Sequence, residues 1–234
     1  MNIDIIYRCC EKDTKTSFRP KRFSKINCLN NFLDVFLFNN KPKGINIRIH
    51  VVHDGEKGCL YKFLEDYDLS IHKINYENNA KSLDFCLDFA ANIDESSDII
   101  YFLEDDYLHI DQALEVLIEG FNVANTFNKS NVISLYDHMD RLTRNDDIDY
   151  GKTNILLGDL RYWRTAESTT CTWAVKRDIY LNSIYNVAKS FGLNDRELFR
   201  ELRKQGVILF TPMIGASTHC HEPFMSPFID WDNV

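Results

Sequence analysis

Residues 99–108 read IIYFLEDDYL, and this stretch contains the clearest strand signal in the chain. Five apolar residues are followed at once by the carboxylates Glu104, Asp105 and Asp106. A strand that is apolar on both faces is typical of the centre of a parallel sheet, because helices then cover both of its sides. Sheets of this kind bind ligands beyond the carboxyl ends of their strands, so the three acids mark a candidate site.

Strand-like and helix-like patterns alternate on the N-terminal side of this stretch. Apolar and polar residues alternate from Ile45 to Val51, which is the period of a strand, and the turn signal His53-Asp54-Gly55 follows. The predicted elements of this half are strands at 3–7, 45–51 and 69–76, and helices around 26–36, 58–67 and 83–90.

The same alternation continues on the C-terminal side. Asp111 is placed to cap a helix, and Asn194 with Glu197 forms a capping box for another. Residues 137–167 are polar and show no clear period, which is long for a passive loop. The remaining predicted elements are strands at 132–136, 169–175 and 207–210, and helices around 114–121, 181–188 and 195–204.

The alternation of strands and helices predicts an α/β fold. We expect a Rossmann-type, mixed but mostly parallel central sheet that is flanked by helices. A chain of 234 residues can bury a sizeable core as one domain, and its nine glycines and five prolines leave little room for linkers. We therefore expect a single domain over residues 1–234.

Charge and composition exclude several classes of protein. The sequence has 27 Lys and Arg against 35 Asp and Glu, a net charge of −8, which argues against a general nucleic-acid or membrane-surface binder. No apolar run approaches the roughly 20 residues that cross a bilayer, and the first residues do not resemble a secretory signal. The seven scattered cysteines include no CxxC pair. We expect a soluble, cytoplasmic protein with reduced thiols.

The acidic cluster is a candidate metal site. Three adjacent carboxylates repel one another in a partly dry crevice, and a divalent cation relieves this repulsion. Mg²⁺ and Mn²⁺ prefer oxygen ligands and usually take one or two carboxylates together with substrate phosphates. Glu104 and Asp106 have the i, i+2 spacing that places both on one side of an extended chain, so Asp105 faces elsewhere. The alternative interpretation is a solvated acidic loop that opens a helix.

A second group of possible ligands lies near the end of the chain. His219 and His221 also have i, i+2 spacing, and one of them is a candidate to complete the site of the carboxylates. A small zinc site that includes Cys220 is less favoured, because the thiol points to the opposite side of an extended chain. A polar tail with incidental histidines is the structural alternative.

Asp195 is a candidate general base. It lies at the start of a predicted helix, in the sequence Asn194-Asp195-Arg196-Glu197. Ordinary helix capping explains the same residues without any catalytic role.

Taken in order, these features resemble those of nucleotide-sugar-dependent glycosyltransferases of the GT-A fold, in a family 2-like arrangement. FLEDDYL, residues 102–108, stands where that family has its D-x-D metal motif, although the motif here begins with Glu104. The resemblance covers nearly the whole chain. It implies a nucleotide-binding half over about residues 1–110 and an acceptor-binding half over about residues 111–234.

The resemblance also implies roles for individual residues. Glu104, Asp106 and one of His219 and His221 would hold Mn²⁺ or Mg²⁺. Asp195 would act as the base of an inverting reaction, with retention left open. The residues implied to contact the nucleotide sugar are Arg8, Asp54, Lys81, Asp105, Thr170 and Trp173. A solvated basic loop is slightly favoured for Arg8 and the stretch Arg19–Lys25, and Trp173 is more often a core residue.

The implied activity is transfer of a sugar from a nucleotide-diphosphate sugar to a hydroxyl acceptor, such as a glycan. The segment 137–167 and the aromatic tail, with Phe224, Phe228 and Trp231, are candidates for a lid that excludes water. Three other functions remain open: a metal-dependent nucleotidyltransferase or phosphohydrolase, an enzyme that glycosylates modified DNA bases, and a non-catalytic carbohydrate-binding protein. Of these functions, glycosylation of DNA bases has the least support, because the net negative charge of the chain disfavours a nucleic-acid partner.

Overall fold

The computed structural model describes residues 1–13, 18–138, 153–170 and 172–234, in which strands and helices alternate as predicted. The strands are β1 (Asn2–Cys10), β2 (Asn46–Asp54), β3 (Ser70–Ile74), β4 (Ile99–Glu104), β5 (Tyr107–His109), β6 (Asn131–Ile133), β7 (Ile155–Leu157), β8 (Tyr162–Ala166), β9 (Trp173–Lys176), β10 (Ile208–Met213) and β11 (Ser217–His219).

The helices lie between these strands. They are α1 (Lys25–Leu33, continued by a π-helical turn at Asp34–Phe38), α2 (Cys59–Glu65), α3 (Asn79–Ala91), α4 (Ala113–Phe127), α5 (Arg177–Ile179, a π-helical turn at Tyr180–Ile184, then Tyr185–Phe191) and α6 (Asp195–Lys204). Two 3₁₀ turns, Glu222–Phe224 and Trp231–Asn233, lie in the C-terminal segment.

The predicted fold class is confirmed. Nine strands form one sheet in the order β3-β2-β1-β4-β9-β6-β10-β8-β7. The first four strands are parallel, and β9 runs antiparallel between β4 and β6. β6 and β10 are again parallel, and the hairpin β7–β8 closes this edge of the described sheet.

Helices cover both faces of the sheet, which explains why β4 is apolar throughout. One core cluster joins the sheet to α1, α2 and α4, and the other joins it to α3, α5 and α6. The side chains of β4 alternate between the two clusters, with Tyr101 in the first and Ile100 and Phe102 in the second. The double-sided burial of this strand is the physical basis of the continuous apolar run.

The strand order reverses at β1, and this reversal positions the site. β1 pairs with β2 on one side and with β4 on the other, so β1 lies between the strand that follows it in sequence and β4. The register places Arg8 beside Glu104 and Cys10 beside Asp54. The carboxyl ends of β1, β2 and β4 therefore bring charged residues to one crevice, which is where sheets of this type bind ligands.

A second, two-stranded sheet was not apparent from the sequence. β5 follows the acidic cluster directly and pairs antiparallel with β11, so that Tyr107 lies opposite His219. Each strand has only three residues, too few to establish a period.

Three further predictions about local structure are corrected. The segment 137–167 is not irregular throughout, because it contains β7 and β8; residues 139–152 of the proposed lid lie outside the described residues. The strand predicted at 169–175 begins only at Trp173, and Cys171 also lies outside the described residues. Asp111 does not cap α4, since the N-cap is Gln112 and makes no side-chain bond.

The helices are short by the standard of a bilayer. The longest uninterrupted α-helix among the described residues, α4, has 15 residues, and α5 with its π-helical turn is not longer. At about 1.5 Å per residue it is shorter than the roughly 30 Å of hydrocarbon in a membrane. None of the described helices is long and apolar enough to span one.

A buried charge cluster fixes the amino ends of the central strands. The Asp4 carboxylate is fully buried and accepts hydrogen bonds from Arg48 at 2.8 and 2.6 Å, and its Oδ1 lies 2.8 Å from His50 Nε2. Burial raises the pKa of Asp4, but the bonds from His50 and Arg48 outweigh burial and lower it to about 2. The native state therefore holds this carboxylate ionised more strongly than the unfolded chain does.

This cluster predicts a stability change in acid. Because the folded pKa is about 2 and the ordinary value is 3.8, the stabilisation is complete above pH 4 and is lost as the pH falls towards 2. Asp4→Asn should lower the free energy of unfolding at pH 7 by about 2 kcal/mol and flatten the decline between pH 4 and 2. Urea unfolding at a series of pH values measures both effects.

The matched control for this prediction is Asp68→Asn, at an exposed aspartate outside the strands. It should leave the pH profile of the wild type unchanged. Parallel profiles for Asp4→Asn and wild type would show that Asp4 does not carry the acid-sensitive stability.

Candidate functional site

A cavity of about 510 Å³ opens at the carboxyl ends of β1, β2 and β4, and this volume is large enough for a small molecule. Its walls come from these strand ends, the segment before α1, the loop before α3 and the end of β11. The residues that line it are Arg8, Cys9, Cys10, Glu11, Lys12, Asp13, Arg19, Lys25, Asp54, Gly55, Glu56, Glu77, Asn78, Asn79, Ser82, Glu104, Asp105, Asp106, His219 and His221.

Seven of the eleven predicted site residues meet in this cavity, although they are far apart in sequence. They are Arg8, Asp54, Glu104, Asp105, Asp106, His219 and His221. The predictions that placed these residues at strand ends and near the C-terminus thus describe one place in the fold. Their individual roles remain predictions.

Each of the three adjacent carboxylates is paired with a different basic residue. Glu104 binds Arg8, its neighbour on β1. Asp105 lies 2.9 Å from Lys25, the first residue of α1, and Asp106 lies 2.9 Å from Arg19 in the connection between β1 and α1. Cations of the chain itself thus relieve the repulsion that the sequence predicts among the three acids.

The prediction of a solvated basic loop is wrong for Arg8, Arg19 and Lys25, although other residues of the stretch Arg19–Lys25 are exposed. The side chains of Arg8, Arg19 and Lys25 are only 10–14% exposed. Arg22 of the same stretch is exposed and donates to the carbonyl of Asp232. The sequence signal for this arrangement was a basic stretch that directly follows the first strand.

Asp105 and Lys25 form a buried pair that ties β1 to the acidic turn. Asp105 accepts a 2.9 Å hydrogen bond from the Cys10 amide, and Lys25 also donates to the carbonyls of Cys10 and Lys12. Burial raises the pKa of Asp105, and Lys25 only partly opposes this effect. Burial lowers the pKa of Lys25, but the charge of Asp105 outweighs it and raises the pKa to about 12.

Asp106 and His219 are brought together by the small sheet. The Cys220 amide donates to the Asp106 carbonyl at 2.8 Å, and Nε2 of His219 lies 3.0 Å from Oδ2 of Asp106. Tyr107 stacks on the His219 ring with the centroids 5.1 Å apart and the planes at 10°. The pairing of β5 with β11 therefore sets both the position and the orientation of this imidazole.

The structure distinguishes the two late histidines. The ring of His221 lies 5.9 Å from that of His219 and 4.9 Å from that of Phe224. Burial lowers the pKa of His221, and the neighbouring His219 adds to this effect. Of the two, His219 is the one in direct contact with the acidic cluster.

The site offers part of a metal coordination shell. In the described part of the chain, no three His, Cys, Asp or Glu side chains converge to hold a metal ion by themselves. The Oδ1 atom of Asp106, however, is buried and has no hydrogen-bond partner among the described residues. Burial raises the pKa of Asp106, but His219 and Arg19 lower it to about 2, so this oxygen carries charge at neutral pH. Asp106 and His219 fit a Mg²⁺ or Mn²⁺ site whose other ligands are phosphates.

Arg8 also anchors the helix that follows the third strand. Its guanidinium donates to Ser82 Oγ and to the Asn79 carbonyl, each at 2.9 Å. Asn79 and Ser82 are cavity residues that the sequence analysis did not assign to the site. Lys81, which it did assign, is exposed on α3 and is not among the lining residues.

Asp54 holds the loop between β3 and α3. Its Oδ1 accepts hydrogen bonds from the amides of Tyr76 at 2.7 Å and Glu77 at 2.9 Å, and its Oδ2 accepts one from Asn78 at 3.3 Å. Glu77 has a φ of 46°, a left-handed conformation that non-glycine residues rarely adopt. The carboxylate thus stabilises a strained turn at the rim of the cavity.

Glu11 is another cavity residue that sequence reasoning missed. Its carboxylate accepts hydrogen bonds from the amides of Gly58, Leu60 and Tyr61 at 2.8–3.1 Å and so fixes α2 against the end of β1. Burial raises the pKa of Glu11, but these backbone bonds lower it below its ordinary value.

Three other predicted site residues do not line the cavity. Trp173 is 4% exposed and packs on Phe102 with centroids 4.4 Å apart, so it belongs to the core. Thr170 forms a hydrogen bond with the hydroxyl of Tyr107, so Thr170 lies at the hydroxyl end of the ring that stacks on His219. Asp195 is the first residue of α6, outside the cavity lining. Their functional roles remain predictions.

Comparisons with known proteins give likeness in structure only. No protein-family model matches the chain, and no curated protein matches its sequence. The structure of CMP:2-keto-3-deoxy-manno-octonic acid synthetase complexed with CTP has a TM-score of 0.49 and 13% identity, over 90% of this chain and 89% of that one.

Two further structures match to a similar extent. That of 4-diphosphocytidyl-2C-methyl-D-erythritol synthase from Anaerococcus prevotii has a TM-score of 0.49 and 14% identity, over 92% of this chain and 88% of that one. S. aureus TarS has a TM-score of 0.44 and 12% identity, over 90% of this chain and 60% of that one. At such low identity, this likeness concerns only the backbone arrangement.

The geometry of Asp54 predicts a local loss of order in Asp54→Ala. Three backbone amides lose their acceptor, and each such bond contributes about 1 kcal/mol. Amide hydrogen exchange at residues 76–78 should therefore accelerate about tenfold or more, while exchange within α4 stays unchanged. Asp54→Asn, which keeps one acceptor oxygen, should show an intermediate effect. Wild-type exchange rates at 76–78 in Asp54→Ala would contradict this role.

Proposed function

We propose that the chain is a metal-dependent glycosyltransferase that moves a sugar from a nucleotide-diphosphate sugar to a hydroxyl acceptor. The observation that carries this proposal is the pairing of Asp106 with His219 in the crevice between β1 and β4. The buried Oδ1 atom of Asp106 has no hydrogen-bond partner among the described residues. A nucleotide fits a cavity of this volume and position. The resemblance of the sequence to GT-A enzymes agrees with this assignment.

The charge of the cavity favours a ligand that brings a cation. Its described lining holds eight carboxylates and four ammonium or guanidinium groups, an excess of negative charge. A bare diphosphate would be repelled by such a lining. A divalent cation bound to the diphosphate would offset this repulsion, and the unpartnered Oδ1 atom of Asp106 would coordinate that cation.

The residues of the chain have distinct tasks in the proposed reaction. Asp106 and His219 would hold Mn²⁺ or Mg²⁺, and Glu104 would reach the ion only after release from Arg8. When bound, the cation would neutralise negative charge that develops on the departing diphosphate. Arg8 and Asp54 order the loop and helix that form the nucleotide side of the cavity. Asp105 supports the acidic turn through Lys25.

Asp195 remains the proposed general base, which accepts the proton of the acceptor hydroxyl in an inverting displacement. Because it lies outside the cavity lining, this role requires the acceptor to extend from the cavity towards the start of α6. Lys81, Thr170 and Trp173 stay proposed contacts of the donor or acceptor.

Donor binding provides the main test. Thermal unfolding with UDP-, GDP-, ADP- and CDP-sugars, each with and without Mn²⁺, should show stabilisation by one donor only when Mn²⁺ is present. A ligand at a hundredfold excess over its Kd stabilises the native state by about 2.7 kcal/mol. Asp106→Asn should abolish this shift without lowering the unfolding temperature of the free protein by more than a few degrees.

Nucleoside triphosphates serve as the second arm of this experiment. Stabilisation by a triphosphate with Mn²⁺, and by none of the nucleotide sugars, would replace the proposal with a nucleotidyltransferase. The absence of any metal-dependent shift would contradict both functions.

The two late histidines should differ in metal binding. His219→Ala removes a direct partner of Asp106 and should weaken Mn²⁺ binding at least about tenfold. His221→Ala, which leaves that contact intact, should change it less than about threefold. Titration of Mn²⁺ followed by electron paramagnetic resonance measures both. Equal affinity of the two variants would remove His219 from the proposed metal site.

A further inference from the structure

Arg19 lies beside Asp106, the carboxylate whose Oδ1 atom has no hydrogen-bond partner among the described residues. Its Nη1 donates to Oδ2 of Asp106 at 2.9 Å and to the Cys220 carbonyl at 2.7 Å, and its Nη2 donates to Asp13 at 3.2 Å. The guanidinium carbon lies 4.3 Å from the centre of the Phe23 ring. The Arg19 guanidinium is therefore held by four contacts: three hydrogen bonds and one aromatic ring.

Two buried polar atoms at this pair have no hydrogen-bond partner among the described residues. One is Oδ1 of Asp106, an acceptor, and the other is Nε of Arg19, a donor. Buried atoms of this kind are costly to leave unsatisfied. A ligand that presents a cation to the acceptor and an anion to the donor would satisfy both.

The other two cations that pair with the acidic cluster each belong to a strand or a helix. Arg8 lies within β1 and is fixed by Ser82 and Asn79 besides Glu104. Lys25 begins α1 and is fixed by two backbone carbonyls besides Asp105. Arg19 also bonds a backbone carbonyl, that of Cys220, but it lies outside any helix or strand, and its second carboxylate partner, Asp13, is 43% exposed. Arg19 is thus the one cation of the three whose side chain can change partner without moving a residue of β1 or α1.

We propose that Arg19 takes the place of the divalent cation at Asp106 in the free protein and binds the diphosphate of the donor in the loaded site. This inference rests on the proposed function. Asp106 would exchange its contact with the guanidinium for one with the metal when the metal–diphosphate complex binds, and the Arg19 guanidinium would bind phosphate oxygens instead of Asp106. The planar guanidinium suits two phosphate oxygens at once.

The exchange predicts effects of opposite sign in Arg19→Ala. Removal of a competing positive charge should tighten the binding of Mn²⁺ alone about three- to tenfold. Loss of the phosphate contact should weaken binding of nucleoside diphosphate in saturating Mn²⁺ roughly 10- to 100-fold. Electron paramagnetic resonance of free Mn²⁺ measures the first effect, and calorimetric titration with UDP, GDP, ADP and CDP measures the second.

Arg19→Lys separates the effect of charge from that of side-chain geometry, and Arg22→Ala is the matched control. Arg19→Lys keeps the charge but not the planar fork, so Mn²⁺ should bind as in the wild type while nucleoside diphosphate binds more weakly. Arg22→Ala removes an arginine of the same stretch that does not line the cavity, and both affinities should stay unchanged. Arg19→Lys also serves if Arg19→Ala does not fold.

The outcomes distinguish this inference from the proposed function. If the wild type binds Mn²⁺ and a nucleoside diphosphate but Arg19→Ala weakens both or changes neither, the exchange is overturned and the proposed function stands. If the wild type binds neither ligand, the proposed function fails and the inference fails with it. Tighter Mn²⁺ binding together with weaker diphosphate binding supports the exchange.

Discussion

The end of the central strand places three carboxylates next to one another, and the surrounding structure depends on how their charge is balanced. Burial of this turn makes each unpaired carboxylate costly, so each requires a positive neighbour. Arg8 comes from the adjacent strand, whereas Arg19 and Lys25 come from the connection that follows it. The path of residues 18–25 across the crevice is thus a consequence of electrostatics, and it forms one wall of the cavity.

The small sheet makes the second essential connection. Pairing of β5 with β11 carries the last part of the chain back to the acidic turn, across more than a hundred residues of sequence. The backbone bonds of this sheet place His219 against Asp106, and Tyr107 fixes the plane of the imidazole. Two three-residue strands would be weak alone, but here they lie over the buried turn, and His109 at the end of β5 is fully buried.

Sequence periodicity was sufficient to predict the large sheet and its helices, because burial of β1, β2, β4 and their covering helices imposes regular apolar patterns. It could not predict β5, β11 or the hairpin β7–β8. In β7, Ile155 and Leu157 are exposed apolar residues, so the usual relation between hydrophobicity and burial does not hold there. Strand-end reasoning placed Asp54 and the three adjacent acids at the cavity, but the partners of these charges, such as Arg19 for Asp106, depend on tertiary contacts that no local pattern encodes.

The balance of charges in the cavity constrains how a ligand can enter. A free diphosphate meets the excess of carboxylates, and a free divalent cation meets the guanidinium of Arg19 at the carboxylate it would bind. Under the proposed function, a metal–diphosphate complex would avoid both penalties, because its cation would face Asp106 while its phosphate oxygens would face Arg19. The charges of the lining would then favour the complex over either of its components. Selection of this kind would keep the site from filling with metal or nucleotide that cannot lead to transfer.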